Sequence, residues 1–198
     1  MSTEPSSESV KGGRVRSRRI LSAVLLLLVA TVGLSVWYYQ SRTYHFGVTQ
    51  EGVLYRSGLL TPERLERVIR EYGIKTVVNL KSVSENQGAW HAAEIAATRR
   101  AGALHLDIAM PPEVPPTESQ IRTWIALFKN PKRVPVIVHC HHGVIRTGML
   151  VAVYEIQFQG KSNEQALRDM QSFGHDLQSP QHKAMREFIA HYKARPVK

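Results

Sequence analysis

The chain has 198 residues, a formal net charge of +10, 43% hydrophobic residues and 21% charged residues. This length is enough for one well-buried domain with a short appendage, and the composition is typical of a globular rather than a disordered chain. The positive charge favours anionic partners, but the basic residues form no aromatic-rich stripe, so we expect no nucleic-acid partner. The single cysteine excludes an internal disulfide and a cysteine-rich zinc module.

The N-terminal region joins a polar, basic stretch to an apolar one. Residues 1–19 show no apolar period, which predicts a basic disordered tail. Residues 20–39 carry no charge, and a helix of this length rises about 30 Å, the thickness of the hydrocarbon core of a bilayer. We therefore predict a transmembrane helix over residues 20–39. A cleaved signal peptide is the alternative, which the length of the apolar run and the lack of an A-x-A site disfavour.

The charges on either side of this apolar segment predict its orientation. Only Arg42 closely follows the segment, whereas five basic residues precede it: Lys11, Arg14, Arg16, Arg18 and Arg19. Positive flanks stay on the cytoplasmic side of a membrane. We therefore expect a single-pass membrane protein with a cytoplasmic N-terminus and the rest of the chain, after the apolar segment, outside the cytoplasm.

Residues 43–195 are predicted to form one domain in which strands and helices alternate. Two short strands around a turn come first, followed by a helix with Thr61 as N-cap and Gly73 at its end. The later predicted elements are, in order, the strand IKTVVNL, an Ala-rich helix, the strand ALHLDIAM, the stiff loop PPEVPP, a helix opened by Thr117, the strand VPVIVHC, and helices over 146–159, 162–173 and 179–194. This alternation predicts an α/β fold with a mostly parallel central sheet flanked by helices on both faces, and ligands at the carboxyl edge of the strands.

Cys140 lies between the last predicted strand and the helix that follows it. A short loop before a helix directs backbone N–H groups and the positive end of the helix dipole at a bound anion. Gly143 lets the backbone approach a ligand closely, and Arg146 carries a guanidinium that can pair with two phosphoryl oxygens. Such surroundings favour a thiolate nucleophile, and the Thr147 hydroxyl can donate a hydrogen bond to its sulfur.

Two other interpretations of the run from His139 to His142 are weaker. Neighbouring side chains at a strand end diverge, so they cannot all bind one metal ion, and the other histidines are scattered along the sequence. We therefore predict no metal and no cofactor. A buried structural cysteine would leave the glycine, the arginine and the helix start unexplained.

The stretch VHCHHGVIRTG resembles the HCxxGxxR[S/T] signature of the protein tyrosine phosphatase superfamily. The earlier stretch VLYRSGLLTPERLERVIREYGIKTVVNL resembles the opening of compact dual-specificity phosphatases of the bacterial and plant type. Together the resemblance covers about residues 45–195. It implies a dual-specificity phosphatase-like fold and catalysis by Cys140 and Arg146. It also implies substrate contacts from the loop, listed here: His141, His142, Gly143, Val144, Ile145 and Thr147.

A general acid is needed to protonate the leaving oxygen. The family places an aspartate about thirty residues before the cysteine, and Asp107, at the end of a predicted strand, is in that range. Glu113, inside the proline-rich loop, is the alternative. We predict Asp107 as the catalytic acid.

The resemblance implies phosphotyrosine, and with it phosphoserine or phosphothreonine, on proteins or small phosphomonoesters as substrates. The loop has none of the lysines that phosphoinositide-directed relatives carry, which disfavours inositol phosphates. Alternatives are a lipid or inositol phosphate phosphatase of the same mechanism, and a membrane-tethered pseudophosphatase that binds phosphorylated ligands.

Overall fold

The computed structural model describes the backbone of residues 9–43 and 45–196, and the side chains of residues 20–37 and 45–196. The chain divides into two compact units, Met1–Arg42 and Thr43–Lys198.

The described residues of the first unit belong to one helix, α1 (Ser9–Thr43). Its segment Ile20–Trp37 is long and apolar enough to cross a membrane, judged by length and composition alone. The helix begins at Ser9, whereas the sequence analysis predicts a disordered tail up to residue 19; residues 1–8 lie outside the described residues. The difference has a physical reason: once a long apolar helix has formed, adding a further residue requires no new nucleation, and Arg and Lys are good helix formers.

The second unit contains a five-stranded sheet in the order β1-β2-β5-β3-β4. The strands are β1 (Gly47–Gln50), β2 (Leu54–Ser57), β3 (Thr76–Asn79), β4 (Leu104–Asp107) and β5 (Val136–His139). Strand β1 is antiparallel to β2, and all the other pairs are parallel. The predicted mostly parallel sheet is therefore confirmed.

Helices cover both faces of this sheet. They are α2 (Pro62–Glu71), α3 (Ala89–Arg100), α4 (Glu118–Phe128), α5 (Ile145–Phe158), α6 (Asn163–Ser172) and α7 (Lys183–His191). Alternate strand residues point to opposite faces, so Val77 and Ile137 pack with residues of α2, whereas Val78 and Val138 pack with the buried faces of α4 to α7. Parallel β5 lies between β2 and β3, buried on both faces. The residue after its carboxyl end is Cys140.

The predicted helix starts and stops agree closely with the observed ones for α2 to α6, whereas the last helix, predicted over 179–194, is the shorter α7. The Thr61 hydroxyl accepts a hydrogen bond from the Arg64 N–H at the start of α2, and Thr117 forms a full capping box with Gln120 at the start of α4. Helix α2 ends just before Gly73, whose φ of 62° is accessible to glycine at little cost. These caps act within one turn, which is why the sequence reveals them.

Candidate active site

The candidate active site is the loop that joins β5 to α5. Strand β5 ends at His139 and helix α5 begins at Ile145, so Cys140 is the first loop residue at the carboxyl edge of the sheet. Its side chain is buried, and its Sγ accepts a hydrogen bond from the Gly143 N–H at 3.2 Å. The loop therefore directs at least one main-chain donor at the sulfur.

Contacts with β2 and with the segment just after it hold this loop in place. The Leu59 N–H donates to the His141 carbonyl at 2.9 Å, and the Arg56 guanidinium donates to the Gly143 carbonyl at 2.9 Å. Gly143 has a φ of 73°, and a Cβ built on it would lie 2.5 Å from the backbone nitrogen of Gly58. Only glycine satisfies both the left-handed backbone and the close approach of the two segments.

Arg56 supports the Cys140 loop through its bond to Gly143, and the sequence analysis did not single it out. It is almost fully buried, and its guanidinium stacks 3.9 Å from the centre of the Phe173 ring. Burial lowers its pKa to about 10, so the side chain still carries its charge at neutral pH. A cation here adds positive potential beneath the Cys140 loop. Arg56 lies in the stretch VLYRSG, which the sequence analysis quotes for its resemblance to phosphatases, and this position is the signal by which the residue could have been found.

Arg146 lies in the first turn of α5 and forms a bidentate ion pair with Glu85. Its Nη1 lies 2.5 Å from one carboxylate oxygen and its Nη2 lies 3.1 Å from the other. The Nη1 group also donates to the Met110 carbonyl at 3.2 Å. The bond to Arg146 lowers the pKa of Glu85 to about 2. Burial alone would lower the pKa of Arg146, but the Glu85 carboxylate and the Cys140 sulfur together raise it.

A cavity of about 620 Å³ opens above the loop. The residues predicted from the sequence that line it are Cys140, His141, His142, Val144, Ile145 and Arg146. Seven other residues line it as well: His45, Glu85, Pro112, Glu113, Gly174, Asp176 and His182. Gly143 and Thr147 are outside this set. Gly143 acts through its backbone, and the buried Thr147 hydroxyl has no hydrogen-bond partner among the described residues, so the expected bond to sulfur is not formed here.

The two carboxylates considered as the acid lie in different surroundings. Asp107 ends β4, where its carboxylate accepts hydrogen bonds from the Asn79 amide at 2.7 Å and lies 3.1 Å from His91 Nε2. It is not among the residues that line the cavity, whereas Glu113 is. Glu113 belongs to the loop between β4 and α4 and has a left-handed φ of 59°. The structure thus brings Glu113, and not Asp107, to the cavity of Cys140.

Histidines near the loop pair with other groups of the protein. His139 Nε2 lies 3.3 Å from a carboxylate oxygen of Glu94, while the rings of His141 and His142 contact each other edge to face. Burial lowers the pKa of His141, helped by the neighbouring His142 and Lys81 charges, so this ring is neutral at pH 7. A separate group that could hold a metal ion lies away from the loop and is formed by His91, His105 and Asp107.

Comparison with known protein families gives a match over residues 30–187, to the family described as DSP-PTPase phosphatase fused to NAD+ kinase. Among curated proteins, the dual specificity protein phosphatase TpbA of Pseudomonas aeruginosa is 48% identical over 40 residues. That alignment covers 20% of this chain and only 18% of TpbA.

Solved structures share the fold. The core catalytic domain of the PP-IP phosphatase Siw14 from S. cerevisiae superposes with a TM-score of 0.61 and 17% identity, over 75% of this chain and 85% of that one. The crystal structure of P. aeruginosa TpbA superposes with a TM-score of 0.56 and 22% identity, over 75% of this chain and 92% of that one. At sequence identities of 17% and 22%, the similarity to these structures shows a shared fold only.

Proposed function

Because the chain belongs to the family of DSP-PTPase phosphatases, we propose that it hydrolyses phosphate monoesters with Cys140 as nucleophile. The observation that carries this proposal is the placement of Cys140 and Arg146 in one cavity, with a main-chain N–H of the loop 3.2 Å from the sulfur. Donors fixed in this way stabilise the negative charge that develops on a transferring phosphoryl group.

The reaction has two steps. The Cys140 thiolate attacks phosphorus in line, an S–P bond forms, and the P–O bond to the leaving group breaks as that oxygen takes a proton from a carboxylic acid. Water then attacks the cysteinyl phosphate while the same carboxylate accepts its proton, which releases inorganic phosphate and the thiolate. Arg146 and the loop N–H groups hold the equatorial oxygens in both steps.

For the acid, the geometry favours Glu113. The carboxylate has to reach the leaving oxygen at the cavity mouth, and Glu113 lines the cavity on a loop that can close over it. Asp107, which the sequence pattern predicts, remains the alternative because it lies at the start of the same connection between β4 and α4. The two assignments predict different mutant behaviour.

We assign phosphotyrosine, with phosphoserine and phosphothreonine, as the substrate class. The pKa of His141 is lowered, so this loop residue supplies no positive charge at neutral pH of the kind that a highly charged inositol phosphate would require. A TpbA variant has been solved with phosphotyrosine bound, which is a property of that relative. Lipid and inositol phosphates are competing substrates to be included in the assay.

The deciding experiment replaces the nucleophile by Cys140→Ser. We expect hydrolysis of an aryl phosphate to fall by at least about 10³-fold, the scale seen when a catalytic nucleophile is removed, with the thermal midpoint unchanged. His191→Ala, on the exposed end of α7, is the control that keeps full activity. Undiminished turnover in Cys140→Ser would contradict the mechanism. A wild-type chain that binds a phosphopeptide column without turnover would instead be a pseudophosphatase.

The same chain is proposed to be held in a membrane by α1. The supporting observation is the segment Ile20–Trp37, whose length and composition suit a bilayer. The basic residues before it and the single Arg42 soon after it support an orientation with the N-terminus in the cytoplasm and the phosphatase unit outside.

A further inference from the structure

Three side chains that are distant in the sequence meet on one side of the second unit. His91 lies in the first turn of α3, and His105 and Asp107 lie on β4 two residues apart, which places them on the same face of the strand. One ligand atom from each of the three lies within 4.8 Å of the others.

The distances within this group are close to those of a metal site. His91 Nε2 lies 3.1 Å and 3.2 Å from the two Asp107 oxygens, and His105 Nδ1 lies 4.0 Å from Asp107 Oδ2. Around a tetrahedral ion with bonds of about 2.0–2.1 Å, neighbouring ligand atoms are about 3.3 Å apart. Closing the site requires the His105 ring to move towards Asp107, because its Nδ1 lies 4.0 Å from Asp107 Oδ2.

Two neighbours orient the ligands as outer contacts do in metal proteins. Glu94, which is buried, has a carboxylate oxygen 2.8 Å from His105 Nε2. A carboxylate at that nitrogen fixes the N–H there and leaves the lone pair of Nδ1 directed at Asp107. The Asn79 amide donates to Asp107 Oδ1 at 2.7 Å and so holds that carboxylate in position.

The exposure of the three side chains and the types of their ligand atoms suit the binding of a metal ion from solution. The side chain of Asp107 is 36% exposed and that of His91 is 17% exposed, so an ion reaches them directly and water completes its coordination. Two imidazoles and one carboxylate suit divalent first-row transition metals rather than calcium or magnesium, which prefer oxygen ligands.

The geometry points to a binding site for a divalent transition-metal ion, Zn²⁺ being the best match, formed by His91, His105 and Asp107 with Glu94 and Asn79 as positioning residues. None of the three ligands lines the Cys140 cavity. Asp107 is also the alternative acid of the proposed phosphatase chemistry, so the test reads metal binding and not turnover, which keeps the failure of this site distinct from the failure of that chemistry.

The test is a binding measurement on the full chain in mild detergent, with any affinity tag removed. Zn²⁺ is titrated against a chromogenic chelator, and Co²⁺ is followed by its visible absorption. We expect one equivalent to bind to the wild type, and more than about 100-fold weaker binding in H91A and D107N, since each removes a ligand. E94Q keeps all three ligands and should bind about 10–100-fold more weakly, the usual effect of losing an outer contact.

Controls separate this site from other metal-binding groups. H191A, an exposed histidine of α7, and C140S should both bind like the wild type. Loss of binding in C140S would put the ion in the cavity and overturn the assignment. Zn²⁺ should also raise the thermal midpoint of the wild type. D107N should unfold in a cooperative transition, which shows that it is folded, and Zn²⁺ should not shift its midpoint, which shows that it does not bind. Absence of saturable binding, or wild-type affinity in H91A and D107N, would refute the site.

Discussion

At the scale of single residues, three carboxylates with different chemical settings line the cavity: Glu85, Glu113 and Asp176. Glu85 is bound bidentately to Arg146, which lowers its pKa to about 2 and makes it unsuited to donate a proton at neutral pH. Glu113 lines the same cavity from the loop before α4. Glu85 is thus best regarded as the group that holds Arg146 in place. The Asp176 carboxylate accepts hydrogen bonds from the Gln178 and Ser179 N–H groups, and Glu113 is the carboxylate that we propose for proton transfer.

The assignment of the acid leads to the first prediction. Glu113→Gln should lower kcat for an alkyl phosphate by about 10²–10⁴-fold, the contribution typical of a general acid, and should remove the basic limb of the pH–rate profile. The measurement is the profile of kcat/KM for Glu113→Gln and Asp107→Asn side by side. If Asp107→Asn loses that limb and Glu113→Gln keeps it, the order of preference drawn from the sequence is right and the cavity geometry misleading.

The Glu85–Arg146 pair leads to a prediction on pH. A depressed folded pKa means that the carboxylate stabilises the fold fully above its ordinary value of 4.5, and that this contribution is lost as pH falls towards about 2. The wild type should therefore exceed Glu85→Gln in unfolding free energy by on the order of 1 kcal/mol at pH 7, as for a partly exposed ion pair. Urea unfolding at pH 7 and pH 3 measures both. A difference that widens on acidification would contradict the pairing.

At the scale of elements, the loop between β5 and α5 depends on its neighbour β2 for support. The loop backbone is bonded to Leu59 and Arg56, and its glycine faces the chain just after β2 with no room for a side chain. The order of the strands in the sheet thus determines which segment supports the Cys140 loop. The parallel pairing of β2 with β5 places the supporting segment against the loop that carries Cys140.

Two glycines provide a matched pair for a test of this contact. Gly143 and Gly160 both have positive φ, but a Cβ at Gly160 meets no atom within 4 Å. Gly160→Ala should cost only the left-handed strain of about 1–2 kcal/mol. Gly143→Ala should cost clearly more and also lower kcat by about 10²-fold, because the N–H donor to the sulfur moves. Unfolding free energy and kcat are measured for both; equal costs with unchanged turnover would show that the close approach is unimportant.

At the scale of the whole molecule, a phosphatase unit follows a long apolar helix in one chain. The two units are compact by themselves, at Met1–Arg42 and Thr43–Lys198. A membrane-bound enzyme of this arrangement would act on substrates that share its compartment. In the proposed membrane arrangement, the charge asymmetry around the apolar segment would set which compartment that is.

A reporter that is active only outside the cytoplasm, fused after Lys198, tests the orientation. We expect activity in the wild-type fusion and its loss when Arg14, Arg16, Arg18 and Arg19 are all replaced by Gln, because the positive flank retains the N-terminus inside. Extraction with carbonate distinguishes an embedded helix from a released chain. A cytoplasmic reporter in the wild type would reverse the topology, and a soluble processed chain would mean a cleaved signal.

The resemblance stated from the sequence is confirmed by the family match. The sequence reveals it because the residues that carry it lie close together in the chain. A nucleophile loop is contiguous in the chain, so Cys140, Gly143 and Arg146 appear together at their proper spacing. The alternation of strands and helices likewise predicted the mostly parallel sheet, which is confirmed. The roles of the individual site residues stay predictions that the variants above test.

By itself, the sequence determined the features that depend on near neighbours: the helix caps, the strand periods, the apolar helix and the Cys140 loop, each set within a few residues. Only the tertiary structure decided which side chains that are distant in the sequence lie close together in space. It brought Glu85 to Arg146, Glu113 to the cavity and His91 to the end of β4, because those meetings depend on strand order and on the paths of the connecting loops. No periodicity encodes such long-range contacts, and so packing of the whole domain had to determine them.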